Sequence, residues 1–236
     1  MIRRSVSTLC AGLVLMGLAG CGQRSDSFLE QIVSTGVGEL LGPDEAPTEP
    51  PQPTREQLAE LPGPLLAISF KDVVGTGFIT AVNDTADGYI TYQDRTRRSV
   101  IVRGGLITGL QGFRYDLSSV KTQRDDPVVY QTPVADWPKT IFRNYRFSLQ
   151  SMDDFQVSVQ CTLTKQPTER IVIYEIVQEV TPVREDCLND RRRFTNMYWV
   201  AEETGFIWRS NQWVGPFLQP ARLDVIRPHP EGRVTN

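Results

Sequence analysis

From Phe155 to Leu163 the chain reads Phe-Gln-Val-Ser-Val-Gln-Cys-Thr-Leu, apolar and polar in strict alternation over nine positions. Successive side chains of an extended strand point to opposite faces, so this segment buries one face and wets the other only as a β-strand. Similar short runs recur at Leu65–Phe70, Gly77–Val82, Tyr89–Gln93, Ser99–Val102, Phe113–Leu117 and Ile141–Leu149. Ile171 to Val180 is a further β-branched run, read as one strand with Val172, Tyr174, Ile176 and Val180 on one face. Tyr198 to Trp208 predicts a hairpin, because Thr204-Gly205 supplies turn chemistry between two aromatic-rich runs. These strands are separated by Gly, Asp, Asn and Pro, and no long helical pattern interrupts them. The expected fold is all-β over residues 65–220, an antiparallel β-sandwich or a partly open β-barrel.

Other segments read differently. Asp26 to Leu41 spaces Phe28, Ile32, Val33, Val37, Leu40 and Leu41 as a short amphipathic helix does, with Asp26 or Ser27 as its N-cap. The Pro-rich, acidic stretch that follows, up to residue 64, reads as an extended tether with one helical turn around Arg55 to Leu61. Residues 221–236 read as a polar tail.

The first twenty residues combine basic Arg3 and Arg4, an apolar run from Leu9 to Leu18 and small residues before Cys21. This is the pattern of a cleaved export signal, too short in its apolar part to span a bilayer. Leu18-Ala19-Gly20-Cys21 matches the bacterial lipobox, in which the cysteine sulfur takes a diacylglycerol. Two or three acyl chains then give effectively permanent membrane anchoring. Gly22 follows the cysteine where aspartate would signal retention at the inner membrane, so the expected location is the outer membrane, facing the periplasm. Cys10 leaves with the signal and Cys21 is lipidated. Cys161 and Cys187 are therefore the remaining pair in an oxidising compartment and are expected to form a disulfide.

Removing Arg3 and Arg4 with the signal shifts the formal charge from −3 to −5. A mildly acidic, exported chain lacks the basic footprint of a nucleic-acid binder. The single histidine, His229, sits between two prolines in the polar tail and reads as solvated. Serine–histidine–acid catalysis and a zinc site both need more than this, and no cofactor or metal is expected. Glycoside cleavage needs only two carboxylates, which makes Asp116, Asp153, Asp154, Glu175 and Glu179 the candidates. Glu175 and Glu179 read instead as a wet strand face, Asp153-Asp154 as a turn, and Asp116 as a partner of Arg114 or a turn cap. Gly75-Thr-Gly77 and Gly104-Gly105 lack the lysine and helix of a phosphate loop and read as bends.

Binding chemistry is denser. Tyr198, Trp199, Phe206, Trp208 and Trp213 fall within sixteen residues, interleaved with Arg209, Asn211 and Gln212. Aromatic faces beside amides and guanidinium groups suit sugar rings, although strand alternation sends many of these side chains into a core. Trp199, Trp208, Arg209 and Trp213 are the candidate glycan or partner contacts, with Trp213 as the exposed member. Arg191 and Arg192, in the run Arg191-Arg-Arg193 near Asp186 and Asp190, are candidates for an acidic polymer or partner. Arg95, Arg97 and Arg98 read as a solvated loop.

Arg103-Gly-Gly-Leu-Ile, Gly112-Phe-Arg-Tyr-Asp-Leu117, Val159-Gln-Cys161, Cys187, Asn196-Met-Tyr-Trp-Val200 and Thr204-Gly-Phe-Ile-Trp-Arg-Ser-Asn-Gln-Trp213 occur in that order. Together they resemble the YjbF family, the group 4 capsule polysaccharide lipoproteins (GfcB-like). The likeness runs from about Leu65 to Pro216 and includes the lipobox; Gly-Gly-Leu-Ile replaces the family's Gly-Arg-Ile. The resemblance implies a non-catalytic accessory lipoprotein for exopolysaccharide or capsule production and export, touching polymer or an envelope partner. Two alternatives are a periplasmic glycan-modifying enzyme with paired carboxylates and a purely structural lipoprotein.

Overall fold

The computed structural model describes residues 52–71, 75–113, 115–149 and 152–230. The expected export signal, Cys21, the helix expected over Asp26–Leu41 and the first part of the expected tether lie outside the described residues. The tether's last part is ordered as helix α1 (Arg55–Ala59). Thr54 and Gln57 cap it reciprocally, each side chain accepting from the other's backbone N–H. Leu58 is buried, and Arg227 Nη2 donates to the carbonyls of Leu58 and Leu61 at 3.3 and 2.6 Å. The folded unit therefore begins before Leu65.

Thirteen strands follow: β1 (Leu65–Phe70), β2 (Gly77–Asp84), β3 (Tyr89–Gln93), β4 (Ser99–Arg103), β5 (Leu106–Gln111), β6 (Asp116–Thr122), β7 (Thr140–Leu149), β8 (Met152–Lys165), β9 (Glu169–Ile173), β10 (Ile176–Leu188), β11 (Arg193–Val200), β12 (Ile207–Gln212) and β13 (Ala221–Arg227). Helix α2 (Pro127–Tyr130) and a short turn of 3-10 helix at Val134–Asp136 separate β6 from β7. All pairings are antiparallel, along the path β5-β4-β3-β2-β1-β13-β12-β11-β10-β8-β7-β6. The two ends of this path, β5 and β6, lie against each other, so the sheet curls into a nearly closed barrel. Of the two architectures the alternation allows, hairpin-by-hairpin connection yields the barrel, which removes most edges. Its interior holds one continuous apolar core, including Leu66, Ile79, Val100, Leu110, Ile141 and Val159.

Four segments depart from the sequence reading. The run Ile171–Val180 is not one strand but the hairpin of β9 and β10, turning at Tyr174 and Glu175, whose φ angles are +43° and +73°. The turn reverses the alternation, leaving Val172 59% exposed while Ile171, Ile173 and Val180 are buried. β5 carries no periodic signal in the sequence because Leu106 to Leu110 is buried on both faces and shows no alternation. β6 starts at Asp116, since Phe113 lies in a turn closed by its N–H on Asp116 Oδ1 at 3.0 Å. The expected polar tail contains β13, which sits mid-sheet between β1 and β12; pairing of Asp224 with Arg209 and Arg222 lets a charged strand enter there.

Asp126 caps α2 by accepting from Val128 N at 3.0 Å. The segment from Asp126 to Thr132 bridges the β4–β5 turn and the β11–β12 turn, which are far apart along the sheet, and so crosses one end of the barrel. Close approach requires glycine at both contacts: a Cβ at Gly104 would meet Val129 O, and one at Gly205 would meet Thr132 O, each at 2.1 Å.

Candidate functional site

Strand alternation points Tyr198 and Val200 into the barrel and Trp199 outward. The β9–β10 hairpin lies over this outer wall, where Ile171, Ile173 and Val180 form a second small core with Tyr174, Trp199 and Trp208. Trp199 Nε1 donates to Glu169 Oε1 at 2.7 Å. The Arg209 guanidinium lies 5.9 Å from the Trp199 ring centre, pairs with Asp224 and donates from Nη2 to Val172 O at 2.9 Å. Trp199, Trp208 and Arg209 thus form the seat of a hairpin.

Trp213, expected to be exposed, is half-buried and packed against the core instead. It stacks on Phe194 at 4.2 Å between ring centres and meets Tyr145 and Phe147 edge-on at 5.1 and 5.5 Å. Its backbone N–H donates to Asn196 Oδ1 at 2.7 Å. After β12 the chain passes so close to Phe147 that a Cβ at Gly215 would come within 2.9 Å of its ring. Large aromatics gain most by such burial.

Arg191 and Arg192 stand exposed at the β10–β11 tip, where Asn189 Oδ1 accepts from both backbone N–H groups at 2.9 Å. Arg98, in the loop after β3, pairs with Asp94 at 2.7 Å. Among the candidate carboxylates, Asp116 caps its turn, Glu175 occupies the β9–β10 turn, and Glu179 lies 3.8 Å from Arg170 on open surface. Asp153 and Asp154 are in β8 rather than a turn. His229 is not solvated: its side chain is only 14% exposed and Nε2 lies 3.8 Å from Asp84 Oδ2.

The strongest polar constellation had no local sequence signature. Arg143 of β7 reaches into the barrel and grips Asp126 through Nε and Nη2 at 2.8 and 3.1 Å. Its Nη1 donates to Glu185 Oε2 at 2.9 Å and to Tyr198 Oη at 3.0 Å. Glu185 Oε2 also accepts from Asn196 Nδ2 at 2.6 Å and Tyr198 Oη at 3.0 Å. Arg143, Asp126 and Glu185 side chains are fully withdrawn from solvent. Two carboxylates then share one guanidinium in a dry interior. Desolvation pushes the Glu185 carboxyl above its usual range despite the pull of Arg143 and its hydrogen bonds. Burial likewise pushes Tyr145 up to about 12. Desolvation works against the charge of Arg143, but Asp126 and Glu185 outweigh it and hold the guanidinium protonated.

Cys161 and Cys187 face each other in register on β8 and β10 and are joined by a disulfide, as expected. Their sulfurs and a Glu185 oxygen lie within 4.8 Å of one another, the one such grouping among the described residues. The sulfurs are bonded to each other and so are not metal ligands. At the barrel end crossed by Gln131, a cleft of about 500 Å³, counted out to its open mouth, is walled by apolar residues such as Leu66, Ile90 and Leu223, with Tyr92, Ser210 and His229 also on its lining. Gln131 Oε1 lines it, buried and without a hydrogen-bond partner among the described residues.

Among the described residues, no helix is long and apolar enough to cross a membrane. The fold is similar to that in the crystal structure of the hypothetical lipoprotein YmcC from Escherichia coli (K12): TM-score 0.66 at 16% identity, covering 75% of this chain and 90% of that one. No curated protein matches the chain. The sequence model of the family described as "Group 4 capsule polysaccharide lipoprotein gfcB, YjbF" matches residues 26–226. With most of its length matched, the chain belongs to the YjbF family of capsule polysaccharide lipoproteins, and its role lies in the context of surface polysaccharide at the cell envelope.

Proposed function

We propose that this protein is a non-catalytic accessory factor in capsule or exopolysaccharide production or export, anchored through acyl chains on Cys21 to the outer membrane and facing the periplasm. It acts by contacting the polymer or an envelope partner. The observation that carries the non-catalytic reading is the disposition of acids among the described residues. Glycoside cleavage needs two carboxylates flanking a space open to substrate. Asp126 and Glu185 are near each other but sealed around Arg143, Asp224 is held by Arg209 and Arg222, and Glu175 and Glu179 sit on the outer hairpin. The cleft at the barrel's crossed end is lined mostly by apolar side chains, with Tyr92, Gln131, Arg209, Ser210 and His229 as its polar members, and no carboxylate is among its lining residues.

Deleting the gene and measuring surface polysaccharide tests the role; unchanged polymer removes it. Replacing Cys21 with alanine should release the protein from the membrane fraction, and unchanged partitioning would remove the anchor. Hydrolysis or elimination of a purified polymer by the intact protein would favour the enzymatic alternative.

A further inference from the structure

Four successive register partners form one straight row across the outer wall: Phe142 on β7, Gln160 on β8, Leu188 on β10 and Arg193 on β11. Their sequence neighbours Ile141, Cys161 and Cys187 point inward and are fully buried, as alternation demands. The row itself is open: Phe142 is 57% and Leu188 48% exposed, and Gln160 and Arg193 are exposed as well. At three strand spacings it is about 14 Å long. One end is fixed by Gln123, whose Oε1 accepts from Phe142 N at 3.0 Å. The other runs into Arg191 and Arg192 at the β10–β11 tip. Beside it lies the Asn144–Ser158 pair, 2.6 Å apart. The carboxylate of Asp186 is bonded by Arg184 and Thr195 and also feels the charge of Arg193, and Asp190 is the other acid at the tip.

We propose that this row, from Phe142 through Gln160 and Leu188 to Arg193 with Arg191 and Arg192 at its end, is the binding face for an acidic polysaccharide. The proposal rests on the polysaccharide role above and names its site. A pyranose presents C–H groups on its faces and hydroxyls on its rim. The Phe142 ring offers an apolar platform to the first, while the Gln160 amide is in line for the second. Three arginines at one end supply the charge that a uronate or pyruvylated sugar requires, and guanidinium groups bind carboxylates in a fixed fork. Phe142 and Leu188 together expose two apolar side chains in one row flanked by polar ones, the kind of surface that a partner covers.

The test is migration of the full chain, in detergent micelles, through native gels containing polygalacturonate or, as the neutral control, dextran. Polygalacturonate should retard the protein and dextran should not, and added salt should abolish the effect by screening. Phe142→Ala should weaken binding about fivefold, the loss of about 1 kcal/mol of ring contact, while Phe142→Trp retains it. Combined Arg191→Ser, Arg192→Ser and Arg193→Ser should eliminate it. These side chains are exposed, so each variant should melt with the parent. Equal retardation by dextran, no retardation by polygalacturonate, or full retardation of both loss variants overturns the proposal. So does binding to phosphatidylglycerol vesicles in place of polygalacturonate, which would make this face a membrane contact. In a strain lacking the gene, loss variants that restore surface polymer as well as the parent overturn the face while leaving the cellular role standing. Unchanged polymer on deletion removes the role while leaving any measured binding intact.

Discussion

Arg143 on β7 and Glu185 on β10 meet inside the barrel, Nη1 to Oε2 at 2.9 Å, on two strands separated by β8. The same guanidinium holds Asp126 at the start of α2, so one side chain ties together the sheet and the segment that crosses the barrel's end. A buried charge is tolerated only with such partners.

Removing the cation should therefore be far costlier than neutralising the acid. Arg143→Met leaves Asp126 and Glu185 as uncompensated buried carboxylates and should destabilise by about 3–5 kcal/mol, lowering the melting temperature by roughly 10 °C. Glu185→Gln keeps the shape, removes the surplus negative charge and should cost much less. Denaturant unfolding of the two variants decides, and equal losses would contradict the shared-guanidinium arrangement.

The same site predicts a pH dependence. Because the folded-state pKa of Glu185 is raised above 4.5, its unperturbed value, the folded protein holds a proton that the unfolded chain releases at lower pH. Its contribution to stability is complete below that value and declines as pH rises through the raised pKa. Comparing the denaturation midpoint of the wild type with that of Glu185→Gln from acid to neutral pH isolates the effect. The variant should lose this decline, and parallel curves would refute it.

Cys161→Ser opens a link between residues 26 apart in sequence. On the loop-entropy account this lowers stability by about 3–4 kcal/mol. Oxidised wild type should melt well above both the variant and the reduced wild type. Coincident melting of oxidised and reduced protein would show that the bridge adds nothing.

The β9–β10 hairpin is held by the small core around Trp199 and by Arg209. Trp199→Ala should release it locally, with amide exchange quickening over Glu169 to Val180 while the barrel strands stay protected. Uniform acceleration across the whole sheet would mean that the hairpin and barrel unfold as one unit.

Much of the barrel was legible. Strict alternation over Phe155–Leu163 fixes a strand and its inward face, and Thr204-Gly205 announces the turn before β12, where Gly205 indeed has φ +68°. The disulfide followed from counting the thiols left once Cys10 and Cys21 are assigned to the expected signal and anchor. Other features hid because their signals were ambiguous. Tyr174-Glu175 carries no Gly or Asn to mark a turn, so a hairpin read as one strand. β5 is buried on both sides and lacks alternation, and the charges of β13 read as solvent-facing until Arg209 and Arg222 supplied partners for Asp224.

The sequence by itself determined which segments extend, which face of each looks inward, and that Cys161 and Cys187 pair, because periodicity and composition are local properties. Tertiary structure alone decided that Trp199, Trp208 and Trp213 are packed while Phe142 is bare, and that Asp126, Arg143 and Glu185 meet at all. Those outcomes depend on which strands become neighbours and what lies across them, and burial and ion pairing act on distance in space, which alternation along one strand does not encode.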